Sequence, residues 1–570
     1  MLQRLVLLAV LATSPLAAAD RANVLIVLTD DQGFGDLGVH GNPVLKTPNI
    51  DSFAKRSVQL THFYVSPVCS PTRSSLMTGR YNYRTGVVDT FLGRSMMRSE
   101  EVTLAEMLRD AGYRTGLFGK WHLGDNYPMR PQDQGFEEVL MHRGGGIAQP
   151  SDPPGGSSYT DPILFRNGKA ERFKGYVTDV LTDAALEFIA KPSEKPFFAY
   201  VAYNCPHAPY QVRDEDWKPY RGIDLGPDAF PKTGSPWAGK KLNQDEIGRA
   251  YGMIANLDAN FGRLLAKVPE NTLVLFLTDN GPGGVRWNAG LRNRKGTVYE
   301  GGIRVPFFAA WKGRLPEGRK LETPAAHIDI TPTVLEACGV PAPKGVAMDG
   351  RSVLPLLEGE KIDWPGRHLF FQWHRGDDPE PGRAFAVRGP RYKLVQAAGV
   401  QPGKYEPKYE LFDIVNDPFE QNDLAAREPQ IARDLRARYD AWFEDVTATL
   451  KANRPRIHVG SEHENPTVLT RQDWRGPAAG WGPNDIGHWD LSVERGGKYR
   501  VTVTFEPAKV ERKAVLRLGS EEATATLSAG QAQVAFEKLT LVKGDARVEA
   551  RADGEPKAGA KYVEIERVGD

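Results

Sequence analysis

Four short apolar runs constrain the fold of this chain more than any other feature: Asn23–Thr29 (NVLIVLT), Arg114–Phe118 (RTGLF), Phe197–Tyr203 (FFAYVAY) and Thr272–Thr278 (TLVLFLT). Continuous apolar stretches of this length, rich in β-branched and aromatic residues, fit strands buried on both faces. Helix-like stretches lie between them, at Thr103–Ala111, Val177–Ile189 and Gln244–Leu265. Strands that alternate with helices predict a mostly parallel sheet between helices, an α/β class expected over residues 20–375. The chain has 570 residues, and single cores rarely grow past about 250–300, so further units are expected.

Two follow. Residues 376–455 carry short strand patterns at Ala384–Val387, Lys393–Gln396 and Tyr409–Phe412, then a helix near Pro429–Leu450. On that helix Ile431, Leu435, Tyr439, Trp442 and Val446 form one stripe, which predicts a smaller C-terminal α+β subdomain. Arg454–Pro466 reads as a polar linker. Beyond it the period switches to two: Tyr499, Val501, Val503 and Phe505 alternate with Arg500, Thr502 and Thr504. Regular short strands without helices predict an additional C-terminal β-sandwich over residues 465–570.

Residues 1–19 combine a basic start (Met1–Arg4), an apolar run (Leu5–Ala12) and Ala17-Ala18-Ala19, the pattern of an export signal. The run is shorter than the ~20 residues a bilayer span needs, and no later segment is long and apolar enough. The expectation is an exported protein, periplasmic or secreted, with no membrane span. With 73 Lys+Arg against 72 Asp+Glu, nothing suggests a nucleic-acid partner. There are three cysteines, Cys69, Cys205 and Cys338. An odd number in an exported chain means that at least one does something other than pair within it.

Chemistry-bearing residues cluster where the apolar runs end. Asp30-Asp31 follows the first run and Asp279-Asn280 the last. Alone, an acidic pair there is more often a turn or cap. Together, at the carboxyl edge of one parallel sheet, they offer oxygen ligands suited to Ca²⁺ or Mg²⁺. Lys120 and His122 follow the second run, spaced to face one pocket. Cys205 and His207 follow the third. Cys69-Ser70-Pro71-Thr72-Arg73 places a proline where a helix begins and Cys69 at its mouth, where free N–H groups attract an oxyanion.

These motifs together resemble the type I, formylglycine-dependent sulfatases (arylsulfatase-like) of the alkaline phosphatase superfamily. The resemblance runs from residue 22 to about 425. It includes Cys69-x-Pro71-x-Arg73 with Thr78-Gly79-Arg80, Gly119-Lys120-Trp121-His122, Pro206-His207, Asp279-Asn280-Gly281, Lys295-Gly296 and the Glu300–Pro306 stretch. It implies an alkaline-phosphatase-like fold and a sulfuric ester hydrolase. Cys69 would be oxidised to formylglycine by a maturation enzyme. Asp30, Asp31, Asp279 and Asn280, with the modified Cys69, would hold Ca²⁺, or Mg²⁺ in its place. Arg73, Lys120 and Lys295 would neutralise sulfate oxygens. Asp279 would deprotonate the attacking hydroxyl, His207 with Lys295 would protonate the leaving oxygen, and His122 would help release the sulfate. The same superfamily contains phosphonate monoester and phosphodiester hydrolases, one alternative; a catalytically silent sulfated-glycan binding protein is another.

A sulfated carbohydrate is the expected substrate, with other sulfate esters open. Specificity is expected from loops at Asp89–Met97, Arg143–Ser158 and Gln372–Arg375. Arg143-Gly144-Gly145-Gly146 lacks the lysine and following helix of a phosphate loop. In the tail, Gly487–Leu491 followed by Gly496–Tyr499 resembles β-sandwich carbohydrate-binding modules. There Trp474, Trp481 and Trp489 either stack on sugars or fill the core. If the tail binds glycan on its own, deleting 465–570 weakens polysaccharide binding and spares small esters. Cys205 and Cys338 read as small buried side chains, and their spacing leaves open whether they pair. The sequence sets no oligomeric state.

Overall fold

A computed structural model describes residues 21–237, 242–450, 454–554 and 557–570; the expected export signal lies outside them. The four apolar runs form adjacent strands of one ten-stranded sheet. In order across the sheet, the strands are Lys320–Leu321, Val58–Leu60, Phe307–Ala310, Thr272–Thr278, Asn23–Thr29, Phe197–Ala202, Arg114–Lys120, Glu138–His142, Ile163–Arg166 and Lys169–Arg172. The five from Thr272–Thr278 to Glu138–His142 run parallel to one another. The antiparallel additions lie toward the two edges.

Alternation along the central strand shows why the runs are apolar throughout. Val24, Ile26 and Leu28 face a cluster with Leu76, Met77, Leu104, Leu108, Val334 and Leu335. Leu25 and Val27 face the other layer, with Val177, Leu181, Met253, Leu257 and Phe261. Helices therefore cover both faces. They begin where the sequence marks a start: Thr103 caps Leu104–Asp110 in a reciprocal capping box with Glu106, and Asn243 accepts the Glu246 N–H ahead of Gln244–Leu265. The Cys69–Thr78 helix ends at Gly79, whose φ of 71° is a left-handed cap that glycine adopts at no steric cost.

A second sheet of four antiparallel strands, Leu369–Gln372, Phe385–Arg388, Tyr392–Gln396 and Tyr409–Asp413, packs against the Pro429–Thr447 helix. Leu435, Tyr439, Trp442 and Val446 of the expected stripe are buried there. The sheet's first strand lies ahead of residue 375, where the α/β segment was expected to end, so the small unit starts earlier than the sequence pattern indicates.

The tail forms two facing sheets. One holds Ile457–Val459, His488–Val493, Arg512–Leu518, Glu521–Leu527, Gly544–Asp553 and Ala558–Gly559. The other holds Thr467–Thr470, Gly497–Thr504, Gln533–Leu541 and Tyr562–Gly569. The stretch expected as a linker is thus partly strand, Ile457–Val459 pairing with Leu491–Val493. Nor is this unit a detached appendage. Leu92, Met96 and Met129 from the α/β part share one cluster with Trp474, Trp489 and Leu469. Backbone bonds cross as well, from Gly93 N–H to Gln472 O (2.9 Å) and from His458 N–H to Tyr127 O (3.0 Å). Among the described residues no helix is long and apolar enough to cross a membrane.

Candidate active site

The parallel register delivers five strand ends to one edge. Thr29 pairs with Thr278, Ala202 with both Leu28 and Gly119, and Lys120 with His142. The residues that follow therefore leave the sheet side by side, at the edge where open α/β sheets bind ligands. They include Asp30-Asp31, Asp279-Asn280, Lys120 with His122, and His207. The Cys69–Thr78 helix, wholly buried, brings Cys69 and Arg73 to the same place. The residues that the sequence offers as metal ligands or catalytic groups gather here, Lys295 among them; Cys338 does not.

Three carboxylates face three fixed cations. Arg73 donates through Nε and Nη2 to Asp279 Oδ2 at 3.0 and 2.8 Å, and through Nη1 to the Lys120 carbonyl at 2.7 Å. Lys120 Nζ lies 2.7 Å from Asp30 Oδ2, and Lys295 Nζ 2.5 Å from Asp31 Oδ1. Asn280 Nδ2 donates to Asp31 Oδ1 at 2.8 Å. Burial pushes the Asp31 carboxyl up, but Lys295, His207 and Lys120 outweigh it and hold the group well below the usual range. Asp279 goes the other way. Burial, with Asp30 beside it, raises its carboxyl to about 6 against the pull of Arg73 and Lys120.

The donor set fits a hard cation. Ligand atoms of Asp30, Cys69 and Asp279 lie within 4.8 Å of one another, as do those of Asp30, Asp31 and His207. Among the described residues Asp30 Oδ1 and Asn280 Oδ1 have no hydrogen-bond partner although both are buried, and such orphaned oxygens are costly unless something binds them. Oxygen donors of this kind suit Ca²⁺ or Mg²⁺. A divalent ion added to three paired charges would leave the site net positive, which favours a sulfate ester anion.

The two histidines are neutral and each has one nitrogen committed. His122 Nε2 donates to the Thr90 carbonyl at 2.7 Å, so Nδ1 carries the lone pair; it is buried and unpartnered. Burial, then Lys120, holds this ring well below its usual value. His207 Nδ1 donates to the Ala208 carbonyl at 2.6 Å, leaving Nε2 3.9 Å from Asp31 Oδ2. Burial lowers His207 to about 3, with Asp31 opposing. The glycines after Arg143 make room for these rings. A Cβ at Gly145 would stand 2.7 Å from His122 Cε1, and one at Gly146 would stand 3.0 Å from His207 Nδ1. The Gly144–Gly146 run is therefore a close-approach loop.

Burial raises the Cys69 thiol above its usual value despite Lys120 and Lys295. As a thiol it is protonated at neutral pH, unlike an activated cysteine nucleophile. Cys205 and Cys338 are also free and buried.

Cys69, His122, His207 and Lys295 line a cavity of about 450 Å³. Its rim includes Thr90 and Phe91, Gly145 and Gln149, and Trp373 and Arg375, one pair from each of the three expected specificity loops. Two rim residues were not placed in this cavity by the sequence. Arg294 belongs to no such loop, although its place beside Lys295 was a usable signal. Trp481 comes from the sandwich and had been named without a location, whereas Trp474 and Trp489 are fully buried core.

Comparisons with known proteins agree with this geometry. A family profile described as Sulfatase matches residues 22–340, and one described as N-sulphoglucosamine sulphohydrolase, C-terminal, matches residues 292–442. The chain is 33% identical over 474 residues to human arylsulfatase A, covering 74% of this chain and 87% of that protein. It is 31% identical over 412 residues to dog N-acetylgalactosamine-6-sulfatase, covering 65% and 72%. Among solved structures, Ps i-CgsB in complex with k-i-k-neocarrahexaose superposes with a TM-score of 0.63 at 27% identity, over 74% of this chain and 93% of that one.

Proposed function

The chain belongs to the sulfatase family, enzymes that hydrolyse sulfate esters, and on that premise we propose that its substrate is a sulfated carbohydrate. In this reading Cys69 is converted by a maturation enzyme to formylglycine, and Ca²⁺ is held by Asp30, Asp31, Asp279, Asn280 and the modified Cys69. The enzyme works after export, in the periplasm or secreted. One observation carries the reading: Cys69, at the start of a buried helix, shares a single cavity with His122, His207 and Lys295 at the sheet edge where the buried carboxylates gather. A sulfated glycan is favoured by the polar and aromatic rim, and by Ps i-CgsB having been crystallised with k-i-k-neocarrahexaose.

In this position the Cys69 Sγ stands in for an oxygen of hydrated formylglycine. When present, that group would supply the attacking hydroxyl and a second, ionisable one, and Ca²⁺ would supply charge against the sulfate oxygens. The chain's own residues do the rest. Arg73 is locked by Asp279 and the Lys120 carbonyl, so its charge reaches the site already oriented. Lys120 and Lys295 add fixed positive charge. Asp279, with a carboxylate oxygen within 4.8 Å of Cys69 Sγ, is placed to accept the proton of the attacking hydroxyl. His122 offers its free Nδ1 to the second hydroxyl. The leaving oxygen needs a proton that neutral His207 lacks in the free protein. Lys295, whose ammonium Asp31 keeps charged, can supply it directly or through His207 Nε2.

The test is a screen of sulfated mono- and oligosaccharides, with phosphate and phosphonate monoesters as competitors, using protein co-produced with a maturation enzyme. Sulfate release with little phosphate-ester turnover is expected. Preferred hydrolysis of the phosphonate would support the superfamily alternative, and tight glycan binding without turnover would support the silent binder.

A further inference from the structure

The tail's three tryptophans have different fates. Trp474 and Trp489 are wholly buried, whereas Trp481 keeps 37% of its surface and forms part of the Cys69 cavity. Its position is fixed on both sides. Trp474 Nε1 donates to the Gly480 carbonyl at 3.1 Å, and Gly482 N–H donates to Asp485 Oδ2 at 2.6 Å. The indole meets Phe91 of the α/β part edge to face, with centroids 5.2 Å apart and an interplanar angle of 76°. A contact of that geometry covers at most one face of the indole.

Behind Phe91 the wall is rigid. Arg375 stacks over the Phe91 ring at 4.6 Å and over Trp373 at 4.9 Å. Its Nη1 lies 2.7 Å from Asp89 Oδ1, an oxygen that also accepts from Trp373 Nε1 at 2.9 Å. With Arg375 neutralised by a buried carboxylate, this side of the cavity offers ring faces and not a second seat for an anion. Trp481 is also not needed to dock the sandwich, which Gln472 and the Leu92, Met96 and Met129 packing already hold.

We propose that Trp481, with Phe91, forms a stacking subsite for the sugar next to the sulfated one, so that the enzyme prefers sulfated oligosaccharides to sulfated monosaccharides. The inference rests on the sulfatase reading above. A pyranose ring presents C–H groups on one face, and these pack on the electron-rich face of an indole. The sandwich thus supplies specificity from inside the cleft.

The experiment takes the sulfated monosaccharide turned over best in the screen, with its di- and tetrasaccharide homologues, and compares wild type, W481A and W481F. In wild type kcat/KM rises with chain length. W481A loses about tenfold on the oligosaccharides, through KM, and several-fold less on the monosaccharide; W481F recovers most of the loss. Equal losses on all substrates, or none, overturn the subsite. A wild type that turns over the monosaccharide without chain-length preference overturns this inference alone. A matured wild type that splits no sulfate ester overturns it together with the sulfatase reading.

Discussion

The floor and the rim of the cavity are built on different principles. The floor comes from five neighbouring strand ends and one helix mouth, and its side chains are almost wholly buried: Asp30, Arg73, Lys120 and Asp279 have no exposed surface. Its geometry follows from the hydrogen-bond register of a parallel sheet. The rim is gathered from three loops, Arg294 and the sandwich, and depends on packing between units that meet only in the finished fold. The first arrangement holds charges in place for chemistry; the second selects what reaches them.

Several substitutions sharpen or break that contrast. The largest effect is expected at the floor: Cys69→Ala should cut kcat by roughly 10⁴-fold or more, as removal of a nucleophile does, with an unchanged melting temperature. Retained turnover would mean that the chemistry lies elsewhere. Asp279→Asn should lower kcat by about 10³-fold. It should also abolish the loss of stability with rising pH that the raised Asp279 carboxyl causes in the cation-free protein. Chemical denaturation and steady-state rates read the two effects separately.

Removing the sandwich from Ile457 onward should abolish turnover of small esters as well as glycans. It uncovers Leu92, Met96 and Met129, worth about 1.5–3 kcal/mol each in burial, and frees the loop that carries Thr90. A truncated protein that still splits small esters at the full rate would show the rim to be dispensable. A gentler probe is Gln472→Ala. Gln472 Nε2 donates to the Thr90 carbonyl at 3.0 Å, the same oxygen that orients His122. We expect about a tenfold loss in kcat with KM unchanged, the mark of a positioning contact.

The smallest effect is one of pH. A carboxyl raised in the folded state destabilises the fold once ionised. The Asp279 contribution, read as the difference between the cation-free wild type and Asp279→Asn, should therefore fall as pH rises from about 4, where unfolded Asp titrates, to the Asp279 value near 6, while the depressed His122 and His207 act in the opposite sense in both proteins. Ca²⁺ needs the ionised form, so its affinity should fall about tenfold per pH unit below 6. Calorimetric titration and thermal shift with and without Ca²⁺ across pH 5–8 check both signs; a pH-independent affinity would contradict them.

The same contrast explains what the sequence made legible. Asp30-Asp31, Lys120, His207 and Asp279-Asn280 each sit directly after an apolar run, so a local pattern locates them at the sheet edge. The sandwich's inward Tyr499, Val501 and Val503 follow from alternation in a strand. The rim was legible only in part: its three loops were read from the sequence, but the pairings that assemble the smaller units around it carry no local signal. Ile457–Val459 is only three residues long and finds its partner through Leu491–Val493, so the stretch read as a linker. The start of the small sheet at Leu369 was missed because its pairing depends on strands farther along the chain. Trp481 could have been distinguished from its two neighbours, since Gly480, Gly482 and Pro483 around it exclude a strand, but its contact with Phe91 follows only from docking of the sandwich.

The most direct test of the account is the mass of the peptide containing Cys69, measured on protein produced with an active maturation system. The account predicts an aldehyde in place of the thiol, with sulfate release scaling with the fraction converted. A fully unmodified thiol in protein that still releases sulfate would contradict it.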